Sequence, residues 1–387
     1  MDKICRVMMN LIGSEICGNA VRADEVKALS DEELKALYKL SKSHDLAHLV
    51  GNALIKNDLI SNNKINSVFE KELYTAVFRY ESINYELGNI KEILSENEIP
   101  FIPLKGSVIR DYYPEPWMRT SCDIDILVRE ENIDKAVKEL VENGYTKERK
   151  NYHDVSLYSV GGVHLELHFS ILELKENIDK VLSRAWDYAK RKDGFEYSFT
   201  NEFFLYHNIA HASYHFIGGG CGVRPFVDLF ILLEKLQYDV EKLNKLLIEA
   251  GIKTFADKME ELSEVWFEDG EHTDVTRELE NFVLSGGVYG TLENGVSVGQ
   301  NKKGGKIKYI LSRVWLSYDV LKVQYPNLEK HKWLLPFYEV KRWLRLLFKG
   351  GVKRSVNEIK VTANMDSEKV ERSARLMSEL GLIERKK

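Results

Sequence analysis

The stretch from Phe101 to Val128 constrains the fold more than any other part of this 387-residue chain. Phe101 to Leu104 reads as a short buried strand, Lys105-Gly106-Ser107 as a turn into a helical segment, and Asp123-Ile124-Asp125-Ile126-Leu127-Val128 as a second strand. Side chains on a strand alternate between its faces, so Asp123 and Asp125 share one face and Ile124 and Ile126 the other. Glycine and serine at the mouth of a helix offer free backbone N–H groups to an anion such as phosphate. A cradle and a pair of metal-ready carboxylates thus lie close together in sequence.

The flanking regions are helical in pattern. Ser30 caps a helix that opens Asp31-Glu32-Glu33 and carries Leu34, Leu37 and Leu40 as an apolar stripe. His44 to Leu59 and then Ile65 to Glu98 continue at helical spacing. The αβ core begins near Ile99. It adds a helix over Glu130 to Asn143 and strands over Tyr145 to Glu148, Asp154 to Val160 and Val163 to Phe169, the last two joined by Gly161-Gly162. Beyond Lys175 helices return, over about Ile178 to Lys190, Asn201 to Phe216, Val223 to Gln237 and Val240 to Ala250. Gly286 to Gly305 has no helix or strand period and reads as a flexible loop. Gly350-Gly351 separates off a charged amphipathic tail. The expected fold class is α+β. A small mixed sheet over 99–175 is flanked by an N-terminal helical region, 1–98, and a C-terminal helical domain, 176–350, with 351–387 as the tail.

Composition narrows the setting. With 44% hydrophobic and 30% charged residues the chain has the makings of ordinary globular cores, and its length suits two or three domains. The net charge of −5 gives no overall attraction to nucleic acid or anionic membrane, so such a partner would need a local basic patch. Four scattered cysteines without zinc-ligand spacing suit a reducing cytoplasm, and no segment approaches the roughly 20 apolar residues that span a bilayer. A cytoplasmic location is expected. The basic run Lys341-Arg342-Trp343-Leu344-Arg345 could lie on a membrane or bind RNA, but a helix of this length is ordinarily expected to pack on a core with a solvated rim.

Several groups carry chemistry. Magnesium takes hard oxygen ligands, one or two carboxylates plus substrate phosphates, and side-by-side aspartates on a strand face supply them; alternatively, such acids simply face water on an edge strand. In His164-Leu165-Glu166-Leu167-His168, period two puts His164, Glu166 and His168 on one face. If this strand lies beside the acidic one, Glu166 completes a carboxylate triad and can act as general base. Lys105 and Arg119 bracket the cradle as cations for phosphate or as surface charges. His207, His211 and His215 recur every fourth residue, a spacing open to zinc binding with Cys221, to a contact near the bound substrate, or to packing.

Leu104-Lys105-Gly106-Ser107, Tyr113-Pro114, Arg119, the strand Asp123 to Val128 and Glu166-Leu167-His168 together resemble a family of largely uncharacterised bacterial nucleotidyltransferases in the DNA polymerase-beta-like superfamily. The resemblance covers roughly 99–350. It implies a nucleoside triphosphate substrate and two divalent ions, Mg2+ or Mn2+, held by Asp123, Asp125 and Glu166. It also implies phosphate contacts from Gly106 and Ser107, and transfer of a nucleoside monophosphate to an acceptor hydroxyl of a small molecule, protein or RNA. His207, His211, Arg224 and Asp228, which could stand around the site or the acceptor, and the segments Tyr325-Pro326 and Trp333 to Pro336 resemble further features of the family. The separation of Ser107 from Asp123 is longer than in most of the superfamily, which favours the aspartates over the serine as contacts. A non-catalytic nucleotide-sensing or partner-binding module on the same fold, or a toxin-like enzyme acting on tRNA or protein, would share these residues.

Overall fold

The computed structural model describes residues 2–173, 175–288, 290–348 and 352–383. The N-terminal region is helical, as its periodicity predicts. The helix Asp31–Ser43 starts at a capping box in which the Ser30 hydroxyl accepts from the Glu33 amide and the Glu33 carboxylate from the Ser30 amide. The helices Ala47–Lys56 and Asn63–Glu96 follow, the latter capped by Asn62.

Seven strands form one mixed sheet among the described residues: β1 Phe101–Pro103, β2 Asp123–Val128, β3 Thr146–Lys150, β4 Asp154–Tyr158, β5 His164–His168, β6 Ala189–Asp193 and β7 Glu196–Phe199. Their order is β3-β4-β5-β2-β1-β7-β6. β2 runs antiparallel to β1 and parallel to β5, with Asp123 opposite His164 and Asp125 opposite Glu166. One face of the sheet buries Ile124, Ile126, Leu165 and Leu167 against Ile83, Leu87, Ile90 and Leu94 of the long helix and Ala136 and Leu140 of the helix Ile133–Glu142. That apolar packing fixes which way β2 faces, and so turns its aspartates to the other side.

The sheet is larger than the sequence pattern suggests. The expected helix over 178–190 ends early, at Leu182 in Glu176–Leu182, and the chain turns into the hairpin β6–β7 around Asp193-Gly194, where Gly194 has φ +48°. β7 then joins β1, so the C-terminal region contributes to the same sheet. Gly286 to Gly305 is also corrected. Its second half is the helix Leu292–Lys303, begun by the Thr291 hydroxyl accepting from the Asn294 amide, with Val296 and Val298 buried. Gly299 leaves room there for the Tyr309 ring, a contact that outweighs the low helix propensity of glycine.

Downstream, the helices Asn201–Gly218, Arg224–Lys235 and Lys253–Phe267 pack with the N-terminal helices in one large apolar core. The helix Leu335–Phe348 departs from the core-packing expectation: Phe337, Val340, Leu344 and Leu347 are exposed. Gly350-Gly351, expected to mark the start of the tail, lies outside the described residues.

Candidate active site

A cleft of about 380 Å³ opens between the acidic face of the sheet and the helices Asn201–Gly218 and Arg224–Lys235. Asp123, Asp125, Glu166 and His168 line one wall, Lys105 and Gly106 the edge, and His207, His211, His215, Arg224 and Asp228 the other side. Residues more than a hundred positions apart thus converge on one space.

The acidic wall follows from strand pairing. Adjacent parallel strands with Asp125 opposite Glu166 bring their carboxylates side by side on the face away from the apolar core. Asp123, His164 and Glu166 place one donor atom each within 4.8 Å of one another, and so do Asp125, Glu166 and His168. Asp125 is nearly buried. Burial works against its charge, yet the Lys105 ammonium at 3.0 Å and the His168 Nε2 donor at 2.8 Å hold its carboxyl far below the usual carboxylate range. Asp123 and Glu166 shift the opposite way, raised by burial and by the negative charge of Asp125. His164 also stacks on Tyr158 at 4.8 Å.

The cradle turns tightly. Lys105 has φ +44°, a conformation that side chains seldom adopt, and its ammonium meets Asp125 at 3.0 Å. A Cβ on Gly106 would lie 3.1 Å from Cβ of Ser121, so the turn packs closely against the chain leading into β2. Below it, the buried Arg110 donates to the Gly106 carbonyl at 2.7 Å and to the Ser121 hydroxyl at 2.8 Å. Sequence reasoning missed this brace. Ser107 is placed differently from Gly106: its amide donates to the Leu104 carbonyl, its hydroxyl is buried without a protein partner, and it is not among the residues lining the cleft.

Arg119 does not reach out as a free cation. Its guanidinium donates to both oxygens of Asp228, to Oδ1 at 2.6 Å and Oδ2 at 2.9 Å, and to the Thr120 carbonyl. Asp228 also accepts from the Tyr113 hydroxyl at 2.7 Å. Beside this network Arg224 donates to Asp45 at 2.7 Å, and Asp45 accepts from Thr120 at 2.9 Å. The N-terminal helices, the sheet and the helix Arg224–Lys235 are thereby tied together at the rim of the cleft.

A family model described as an uncharacterised nucleotidyltransferase matches residues 30–268. The chain belongs to this nucleotidyltransferase family. No curated protein matches it. The match begins well before the sheet, so the helices from Asp31–Ser43 to Asn63–Glu96 fall within it, and it ends before the aromatic C-terminal segment.

In this family member the histidine face does not gather a metal donor set among the described residues. His211 Nδ1 instead donates to Glu173 Oε1 at 2.7 Å, and its Nε2 accepts from His215 Nε2 at 3.1 Å. His207 is buried, and its Nδ1 has no protein partner. Burial and the nearby Lys105 charge push the values of His207 and His211 well below that of ordinary histidine, while burial raises Glu173. Cys221 is buried with a raised thiol value. Glu173 and His153, which lies over His168 at 5.7 Å, carry no sequence signal that singles them out, because each stands in a loop and enters the site only through the fold.

Proposed function

We propose that the protein is a metal-dependent nucleotidyltransferase that moves a nucleoside monophosphate from a nucleoside triphosphate to an acceptor hydroxyl and releases pyrophosphate. The observation that carries this reading is the meeting of Asp123, Asp125 and Glu166 on one face of the β2–β5 pair, inside the cleft. The donor chemistry fits hard divalent cations: three carboxylates lie close together, two of them disfavouring their own charge, and the one beside Lys105 already draws in a cation. Two magnesium or manganese ions held by Asp123, Asp125 and Glu166 would polarise the attacked phosphoryl group and neutralise the charge on the leaving pyrophosphate.

The chain's own residues do the rest. The acceptor oxygen bonds to the α-phosphorus as the bond to the bridging oxygen of the pyrophosphate breaks. The hydroxyl proton passes to Glu166, whose carboxylate lies on the cleft face of β5. Lys105 sits at the cradle with a charge that can move from Asp125 to an incoming phosphate, and Gly106 presents no side chain against it. Ser107, buried behind the turn, leaves that contact to its two predecessors. Arg119 and Asp228 fix the opposite rim by holding one another, while Glu173 orients His211 toward the acceptor side.

The test is to offer labelled ATP, GTP, CTP and UTP with magnesium or manganese to the purified protein and a cell extract. Label should enter an acceptor with the wild-type chain and not with Asp123→Asn. Equal labelling by the two proteins would overturn the reading.

A further inference from the structure

The C-terminal region carries its charge and its apolar surface in an unusual arrangement. Residues 302–348 contain eleven Lys and Arg against three Asp and Glu, although the whole chain has a net charge of −5. Two helices in this region, Lys306–Val314 and Leu335–Phe348, turn apolar stripes outward. Ile307, Leu311 and Val314 recur at spacings of four and three on the first; Phe337, Val340, Leu344 and Leu347 recur at three, four and three on the second. Ile307 is 75% exposed and Leu347 61%.

The second helix is inverted in polarity. Its buried side holds Glu339 and Arg342, paired at 2.8 Å. Glu339 accepts from the Leu316 amide at 2.6 Å, and Arg342 donates to the Val314 carbonyl at 2.6 Å. The ion pair therefore pins the end of the first helix to the middle of the second, and the hydrocarbon is left outside. Trp333, 77% exposed, stands two residues before the second helix, in the turn Lys332–Leu334. Lys306 and Lys308 border the first stripe, and Lys341 and Arg345 the second.

The chemistry selects the occupant. Six of the seven stripe residues are aliphatic and offer neither hydrogen bonds nor a flat face to a base, Phe337 being the one ring in the stripes, and Tyr325 and Tyr338 are already stacked on each other at 4.5 Å with Lys341 over both rings. A second copy of the same face would bring two strongly basic surfaces together. An anionic bilayer satisfies both features, with headgroups for the lysines and arginines and the acyl boundary for the stripes and for Trp333. Among the described residues no helix is long and apolar enough to cross a membrane, so this contact is in the plane of the surface. We propose that the face formed by Lys306–Val314 and Leu335–Phe348 docks the protein on anionic lipid. The inference is independent of the reaction proposed above.

Flotation of the full-length protein with vesicles tests it. The protein should float with vesicles of phosphatidylcholine and phosphatidylglycerol in equal parts, remain below with phosphatidylcholine alone, and be released by salt. Leu344→Glu with Leu347→Glu should cut the bound fraction about ten-fold at an unchanged thermal midpoint, since both side chains already face solvent. Ile307→Glu, on the other helix, should act in the same direction if the first variant folds poorly. Binding that is absent, indifferent to lipid charge, or unaltered in both variants overturns the proposal. So does a result in which these substitutions abolish RNA binding or dissociate a dimer while vesicles are ignored.

Discussion

Arg119 and Asp228 stand 109 positions apart in sequence and are joined by two hydrogen bonds, at 2.6 and 2.9 Å, in an almost fully buried pair. Each charge is tolerable there only because of the other. Burial acts against the Arg119 charge, and Asp228 more than compensates, holding its value above that of a free arginine. Asp228→Ala would leave a guanidinium buried and unpaired, an arrangement that costs about 3–5 kcal/mol. Urea unfolding should show that loss, and a loss under about 1 kcal/mol would mean the rim relaxes to let water in.

The two aspartates of β2 should respond oppositely to neutralisation. Asp123→Asn removes a charge that burial and Asp125 already disfavour, so the metal-free protein should be as stable as wild type or more so, while nucleotide transfer is abolished. Asp125→Asn takes the anion away from Lys105 and His168 and should lower stability by about 1.5–3 kcal/mol. Calorimetry of both variants without added metal checks the contrast.

Lys105 combines a strained backbone with a charge aimed at the cleft. Lys105→Gly suits φ +44° and Lys105→Met keeps the side-chain bulk, so a defect common to both reports the ammonium alone. The KM for nucleoside triphosphate should rise about ten-fold or more in each. A normal KM in both variants would take Lys105 out of the phosphate site.

His44 makes stability depend on pH. It is fully buried, its Nδ1 accepts from the Val223 amide at 3.3 Å, and burial lowers its value to about 4. The folded chain therefore declines a proton that the unfolded chain accepts as pH falls through about 6.5. The contribution is complete above that pH, is lost progressively down to about 4, and amounts to about 3 kcal/mol. Denaturation across this window should show the slope, and His44→Asn should lessen it by the share of one group, the remainder belonging to the other buried histidines such as His207 and His211.

Metal binding should appear as stabilisation without catalysis. Magnesium or manganese should raise the thermal midpoint of the wild-type protein in proportion to the logarithm of its concentration, and should leave a variant carrying both Asp123→Asn and Asp125→Asn unmoved. An equal shift in the two would place the ions elsewhere on the chain.

Much of the local structure is legible because it depends only on neighbours in sequence. The Ser30 cap needs Glu33 three residues on, and the shared face of Asp123 and Asp125 needs only the period of a strand. The hairpin β6–β7 is hard to read from sequence because β6, Ala189–Asp193, is nearly all charged, as an edge strand can be, and Asp193-Gly194 is its one turn signal. The helix Leu292–Lys303 was hidden by its glycines, which the Tyr309 ring needs.

The sequence by itself determined which residues carry charge on β2 and β5 and which side of each strand they take. It also determined membership of a nucleotidyltransferase family over 30–268. Only the tertiary structure decided that β2 and β5 are neighbours, that Arg119 is held by Asp228, that Glu173 meets His211, and that Leu335–Phe348 turns its hydrocarbon outward. The physical reason is the same in each case. Periodicity sets the direction of a side chain relative to its own backbone, whereas what it meets there depends on elements far along the chain whose packing is fixed by the whole core.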